Sequence, residues 1–177
     1  MNAPTLLVLA RGILTVPVCA LLAFRTPETD LAALALFAIA ATTDAVDGPL
    51  ARARGEVTAR GAAIDPLADK ILVIGTLSAL ALRGLAPLWA VTVVVLREVA
   101  AVWARSRAER TLPATADGKL KTILQMMSTA GLIAAAALGG ALWRTAAEAL
   151  LDVTVALTVV SGVRLMLRAT QTRADAG

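Results

Sequence analysis

Four aspartates stand in the stretch TTDAVDGPLARARGEVTARGAAIDPLADK, residues 42–70: Asp44 and Asp47, then Asp65 and Asp69. The first pair lies three positions apart and the second four, so on a helix each pair projects from one face. Carboxylates gathered without counter-charge repel one another, and some would have to take up protons. Divalent cations resolve that conflict. A pair of such ions stabilises the attacking and leaving oxygens of an in-line phosphoryl displacement, and neutralises a pyrophosphate. Gly48, Ala51 and Gly61 are small residues set among the acids. They allow backbone to approach a bulky or phosphorylated ligand closely. Arg52 offers a bidentate grip on phosphate oxygens. The competing reading is that these charges only cap helices on a solvated loop.

The elements that must carry these residues are apolar. The chain has 177 residues and is 58% hydrophobic, with a mean hydropathy of +0.77; soluble domains are about 45–50% apolar. Six apolar segments run over 5–24, 31–50, 62–82, 85–104, 122–143 and 147–167. Each is near the ~20 residues a helix needs to cross ~30 Å of hydrocarbon. Ala and Leu dominate without strand-type alternation. The expectation is an all-α integral membrane protein with six transmembrane helices, forming a single domain over 1–177. The first run lacks a basic stretch ahead of it and reads as a span, not a cleavable signal. Gly84 and Pro87 mark a turn between the third and fourth helices. Gly48-Pro49 reads as a possible stop for the second. Pro66 fits either a third helix beginning at Asp65 or a kink there. If the second and third helices are antiparallel neighbours, the two aspartate pairs come face to face.

Basic residues set the orientation. Arg52, Arg54, Arg60, Arg105, Arg107, Arg110, Lys119, Lys121, Arg168 and Arg173 fall on one side, and Arg25, Arg83 and Arg144 on the other. Both termini and the acidic loop are therefore expected in the cytoplasm, on a multi-pass protein of the cell membrane. The net charge of +4 reflects this bias; basic residues split between short loops argue against nucleic-acid binding. There is no histidine, which removes His-ligated metals, His-based triads and phosphohistidine chemistry. The lone Cys19 reads as packing. A metal site here must use oxygen ligands, which suit Mg²⁺ or Mn²⁺.

The spacing D-x2-D-G-x2-A-R-x8-G-x3-D-x3-D, carried by Asp44, Asp47, Gly48, Ala51, Arg52, Gly61, Asp65 and Asp69, resembles in full the signature of the CDP-alcohol phosphatidyltransferase family. Eight fixed positions match by chance about once in 10⁸–10⁹ starts. The resemblance implies six transmembrane helices, a homodimer, and displacement of CMP from a CDP-linked lipid by an alcohol. It implies that Asp44, Asp47, Asp65 and Asp69 bind two Mg²⁺ or Mn²⁺ ions. It also implies that Asp69 takes the acceptor hydroxyl proton, and that Gly48, Ala51, Arg52 and Gly61 line the CDP site.

Further stretches resemble the branch of that family that makes phosphatidylglycerophosphate: PTLLVLARGILTVP (4–17), DPLADKILV (65–73), LREVAAVWAR (96–105), GKLKTILQM (118–126) and TVVSG (158–162). That branch implies CDP-diacylglycerol and sn-glycerol 3-phosphate as substrates. Candidate ligands for the acceptor phosphate are Arg97, Arg105, Lys119, Lys121 and Arg164. Arg97 lies inside the fourth apolar segment beside Glu98, and an intramembrane Arg–Glu pair that only joins helices is an equal reading. Lys119 and Lys121 diverge in direction, so at most one points into the site. Arg105 could equally anchor the loop or bind anionic headgroups, and Arg164 could be a snorkelling end-anchor. Phosphatidylglycerol, giving cardiolipin, and inositol phosphate are alternative acceptors. An ion-coupled transporter and a structural scaffold are the non-enzyme alternatives, and neither explains the small residues and Arg52 at these offsets.

Overall fold

Alanine and leucine lose little freedom on a helix, and this chain is rich in both. The computed structural model describes the backbone of residues 3–53, 59–107 and 116–174, with side chains over 12–42, 70–101, 103 and 120–167. Among these residues there are six helices and no strand: α1 (Ala3–Phe24), α2 (Pro27–Ala53), α3 (Ala59–Leu82), α4 (Leu88–Arg107), α5 (Ala116–Leu138) and α6 (Ala141–Ala174). Two stretches, Leu120–Leu138 and Ala141–Leu167, are long and apolar enough to cross a membrane; Gly12–Phe24 and Lys70–Leu82 are shorter apolar helices.

Local chemistry sets the helix ends. Thr26 caps α2, with its hydroxyl accepting from the Thr29 amide at 3.3 Å while the Thr29 hydroxyl accepts from the Thr26 amide at 3.2 Å. Pro27 follows at the first helical position, where its missing N–H matters least. Glu28 sits in the same turn, and hydrogen bonds from its own amide and from Thr26 hold its carboxyl below the usual range. Gly84, with φ of 74°, closes α3: the Leu85 amide reaches the Leu80 carbonyl at 2.9 Å and the Gly84 amide reaches that of Ala81 at 3.0 Å. This is a Schellman cap, which needs the left-handed backbone glycine provides.

Three sequence expectations change. The fifth apolar run extends to 143, yet α5 stops at Leu138 because Gly139 and Gly140 both take positive φ, and α6 begins at Ala141. Hydropathy cannot see that turn. Gly48-Pro49 does not stop α2, which continues to Ala53. The third helix begins at Ala59, so Pro66 is interior and not at its start. Proline is accommodated in membrane-type helices because neighbours and local adjustment satisfy the freed carbonyl.

The helices pack as two rings sharing an edge. α1 packs on α2 and α3, and α5 packs on the same two, so α2 and α3 occupy opposite corners of one ring. α4 packs on α3 and α6, and α6 on α5, closing the second ring. Among the described residues α2 and α3 both pack on α1 and α5, and whether the two aspartate pairs come face to face lies outside the described side chains. The core holds Phe37, Leu22, Leu72, Leu77, Leu132 and Leu151. Outside, every helix exposes a large apolar side chain, for example Val16, Ile39, Ile71, Leu96, Ile123 and Val153. Apolar surface all round a bundle suits a membrane or a protein partner.

The three tight turns gather at one end. The Arg83 guanidinium grips the Asp30 carboxylate with both nitrogens, one bond measuring 2.8 Å, and Arg144 Nη2 donates to the Gly84 carbonyl at 3.3 Å. Asp30 and Arg83 are almost entirely buried, at 2% and 10% side-chain exposure. Removing one partner of a buried pair strands the other, at about 3–5 kcal/mol. Asp30→Ala should therefore lower stability by about that amount, and Asp30→Leu with Arg83→Met should recover most of it. Thermal and denaturant unfolding in detergent measure both.

Candidate active site

With the turns at one end, the last turns of α2 and the first turns of α3 lie at the other. Asp44, Asp47, Gly48, Ala51 and Arg52 fall within the final three turns of α2, and Gly61, Asp65 and Asp69 within the first three of α3. Their side chains lie outside the described residues, as do those of Arg105 and Lys119. The donor set is nonetheless all oxygen, contributed in pairs by two helix ends at the same end of the bundle. That chemistry fits Mg²⁺ or Mn²⁺. Among the described side chains no group of three or more carboxylates or thiols comes together elsewhere.

Directly after Asp69 the described side chains begin with Lys70, which leads to a charged cluster in the middle of the second ring. Glu98 of α4 is its hub and is 6% exposed. Lys70 Nζ of α3 stands 2.7 Å from Glu98 Oε2, as an ion pair outside hydrogen-bond alignment. Arg97 Nη1 donates to Glu98 Oε1 at 2.9 Å. Lys121 of α5 donates to the same oxygen and is 3% exposed. Among the described side chains the balance is three positive charges against one negative, a surplus of two. Among the described residues Arg97 Nε is buried without a partner. An unsatisfied buried donor costs about 1–3 kcal/mol, so that N–H is a place for an acceptor oxygen.

Toward the core the cluster continues as a polar seam between α5 and α6. Arg97 Nη2 lies 3.5 Å from Ser161 Oγ, Ser161 donates to the Thr158 carbonyl at 3.1 Å, and Gln125 Nε2 lies 3.5 Å from Thr158 Oγ1. Polar side chains across a helix interface hold helices together where hydrophobic burial gives little drive.

Of the acceptor candidates, the structure brings Arg97 and Lys121 together; Arg164 is exposed on α6, outside the buried cluster. Lys121, grouped by sequence with the loop cations, is instead a buried residue, because it lies inside α5 facing Glu98. Arg97 and Glu98 do pair, as the helix-joining reading expected, but within a cluster of surplus positive charge. Sequence reasoning missed Lys70 as a member and Glu98 as the hub. The available signal was three ionisable residues inside apolar helices, each needing a partner.

A family model described as CDP-alcohol phosphatidyltransferase matches residues 1–164. The chain belongs to the CDP-alcohol phosphatidyltransferase family. Among relatives, a probable phosphatidylglycerophosphate synthase of Mycobacterium tuberculosis is 38% identical over 139 residues, covering 77% of this chain and 65% of that protein. A CDP-diacylglycerol–glycerol-3-phosphate 3-phosphatidyltransferase of Bacillus subtilis is 41% identical over 110 residues, covering 60% of this chain and 57% of the relative. A CMP-forming cardiolipin synthase of Streptomyces coelicolor is 36% identical over 75 residues, covering 42% and 35%. The matches thus span less than two thirds of each relative's length. Membership makes the acidic segment the family's signature, and the Glu98 cluster lies immediately beyond it along α3.

The cluster makes a prediction of its own. Glu98→Gln removes the shared counter-charge and should lower stability by about 3–5 kcal/mol. Millimolar inorganic phosphate should then raise the unfolding midpoint more in the variant than in the wild type, because the anion replaces the lost charge. Thermal unfolding at low ionic strength, with and without phosphate, measures this.

Proposed function

We propose that this chain transfers the phosphatidyl group of CDP-diacylglycerol to sn-glycerol 3-phosphate, giving phosphatidylglycerophosphate and CMP. It would do so as a single membrane domain of six spans with both termini and the acidic segment facing the cytoplasm. The apolar residues exposed on all six helices support that topology. So does charge neutralisation at the turn end, where Arg83 pairs with Asp30 and Arg144 with Glu148 at 2.8 Å. Trp89 and Trp143, exposed at the starts of α4 and α6, suit one membrane interface, and Trp103 suits the other.

The observation that carries the acceptor assignment is the buried surplus of two positive charges around Glu98. A phosphomonoester brings about −1.5 to −2 at neutral pH. Phosphatidylglycerol, a diester, brings one negative charge, and serine brings no net charge. The cluster therefore favours a phosphomonoester and disfavours the acceptor that would give cardiolipin. The names of the M. tuberculosis and B. subtilis relatives point the same way.

In the proposed reaction Asp44, Asp47, Asp65 and Asp69 would hold two Mg²⁺ or Mn²⁺ ions, and the chemistry these would supply is neutralisation of the donor's pyrophosphate. Gly48, Ala51, Arg52 and Gly61 bind the cytidine diphosphate portion, with the acyl chains in lipid. Lys70, Arg97 and Lys121 hold the acceptor phosphate. Asp69 accepts the proton of the glycerol hydroxyl. The oxygen forms its bond to the lipid-side phosphorus as the bond from that phosphorus to the CMP oxygen breaks. Asp69 precedes Lys70 in the chain, so base and phosphate ligand are carried on one turn of α3. Two copies of the chain are expected to associate.

CMP release from CDP-diacylglycerol, with glycerol 3-phosphate, inositol 1-phosphate, phosphatidylglycerol or serine offered separately, tests the assignment. Release with glycerol 3-phosphate is expected, and release with phosphatidylglycerol alone would overturn the acceptor. Asp69→Asn should abolish turnover while CDP-lipid binding partly survives. Lys70→Ala should raise KM for glycerol 3-phosphate by about tenfold, equivalent to about 1.4 kcal/mol, with KM for CDP-diacylglycerol little changed.

A further inference from the structure

Arg97 is held at both ends of its side chain. Nη1 donates to Glu98 at 2.9 Å and Nη2 faces Ser161 Oγ at 3.5 Å. Ser161 has given its own proton to the Thr158 carbonyl, at 3.1 Å, so its lone pairs are free to receive the guanidinium. At the other end the stem crosses α6 at Gly162. A Cβ at position 162 would sit 3.1 Å from Arg97 Cγ, inside the ~3.5–4.0 Å optimum for carbon contacts. Between the two restraints lies Nε, buried and without a partner among the described residues.

Glycine has no conformational task at this place. The glycines with positive φ are Gly84, Gly139 and Gly140, and position 162 is inside α6. In a helix interior alanine is better than glycine by about 1 kcal/mol. What Gly162 contributes is the missing Cβ, and with it the path of the Arg97 stem. Cγ is two bonds from Nε, so a stem pushed aside turns the Nε–H while both terminal nitrogens remain tethered.

We propose that Gly162 and Ser161 are positioning residues that aim the Arg97 Nε–H at the acceptor phosphate, making α6 a determinant of affinity for a phosphomonoester alcohol. The inference rests on the acceptor reading given above. It adds a role for two residues that touch neither substrate.

The experiment is steady-state kinetics of the purified full chain in detergent or vesicles, varying glycerol 3-phosphate and CDP-diacylglycerol in turn. The variants are Gly162→Ala, Ser161→Ala, Arg97→Ala and Gly131→Ala, with unfolding midpoints recorded for each. Gly162→Ala should raise KM for glycerol 3-phosphate several-fold and weaken competitive inhibition by inorganic phosphate in parallel. Its kcat, KM for CDP-diacylglycerol and unfolding midpoint should stay near wild type. Ser161→Ala should act in the same direction and more weakly. Gly131→Ala is the steric control: its Cβ would meet that of Ala147 at 3.4 Å, an ordinary contact between α5 and α6, and its KM values should not move. If Arg97→Ala raises the acceptor KM and Gly162→Ala does not, the positioning role is overturned and the acceptor site stands. If Arg97→Ala leaves that KM unchanged, the acceptor reading itself falls. A Gly162→Ala variant with a lowered midpoint and lowered kcat, but unaltered KM values, would make position 162 a matter of helix packing and overturn the proposal.

Discussion

A carboxylate taken from water into a dry helix bundle loses hydration worth several kcal/mol, and it stays ionised only if cations meet it there. Glu98 and Asp30 are the two places where this chain accepts that condition among its described residues. They meet it differently. Asp30 faces one guanidinium, both oxygens engaged, and the pair is neutral and closed. Glu98 faces three cations from α3, α4 and α5, and leaves charge over. A neutral pair joins elements and asks for nothing more. In the proposed function the surplus of positive charge at Glu98 is met by an arriving anion, whereas the Asp30 pair is already closed.

Both arrangements depend on helices held close enough for side chains to meet across them. In lipid there is little hydrophobic drive between helices, so close approach rests on small residues. Gly75 shows this between α1 and α3, where a Cβ would fall 2.7 Å from Thr15 Cγ2. The α1–α3 contact in turn locates the start of α3, which carries Asp65, Asp69 and Lys70. α2 sits at the opposite corner, held by α1 and α5. The acidic ends of α2 and α3 thus belong to two helices held at opposite corners of one ring.

The family was legible in the aspartate segment because its information is local: eight positions within one stretch. The number of helices was legible because apolar length is also local. The Glu98 cluster was only half legible. Arg97 and Glu98 are adjacent and stood out inside an apolar run, but Lys70, Lys121 and Ser161 join them only through the packing of four helices, which no spacing encodes. The helix ends were misjudged for a related reason. Hydropathy runs straight through Gly139-Gly140, although two positive φ values reverse the chain there.

That contrast in legibility has a physical counterpart in the proposed reaction. The donor's pyrophosphate calls for dense negative ligands around divalent ions, and two helix ends linked by one short segment can supply them. The acceptor calls only for a match of charge and shape, drawn from residues on α3, α4, α5 and α6. A substitution at Lys70 or Lys121 changes the charge of the proposed acceptor site by one and leaves every aspartate in place. On that proposal acceptor choice is separable from phosphoryl chemistry, with one exception. Lys70 follows Asp69 directly, so the residue proposed to take the hydroxyl proton and a residue proposed to hold the phosphate move together.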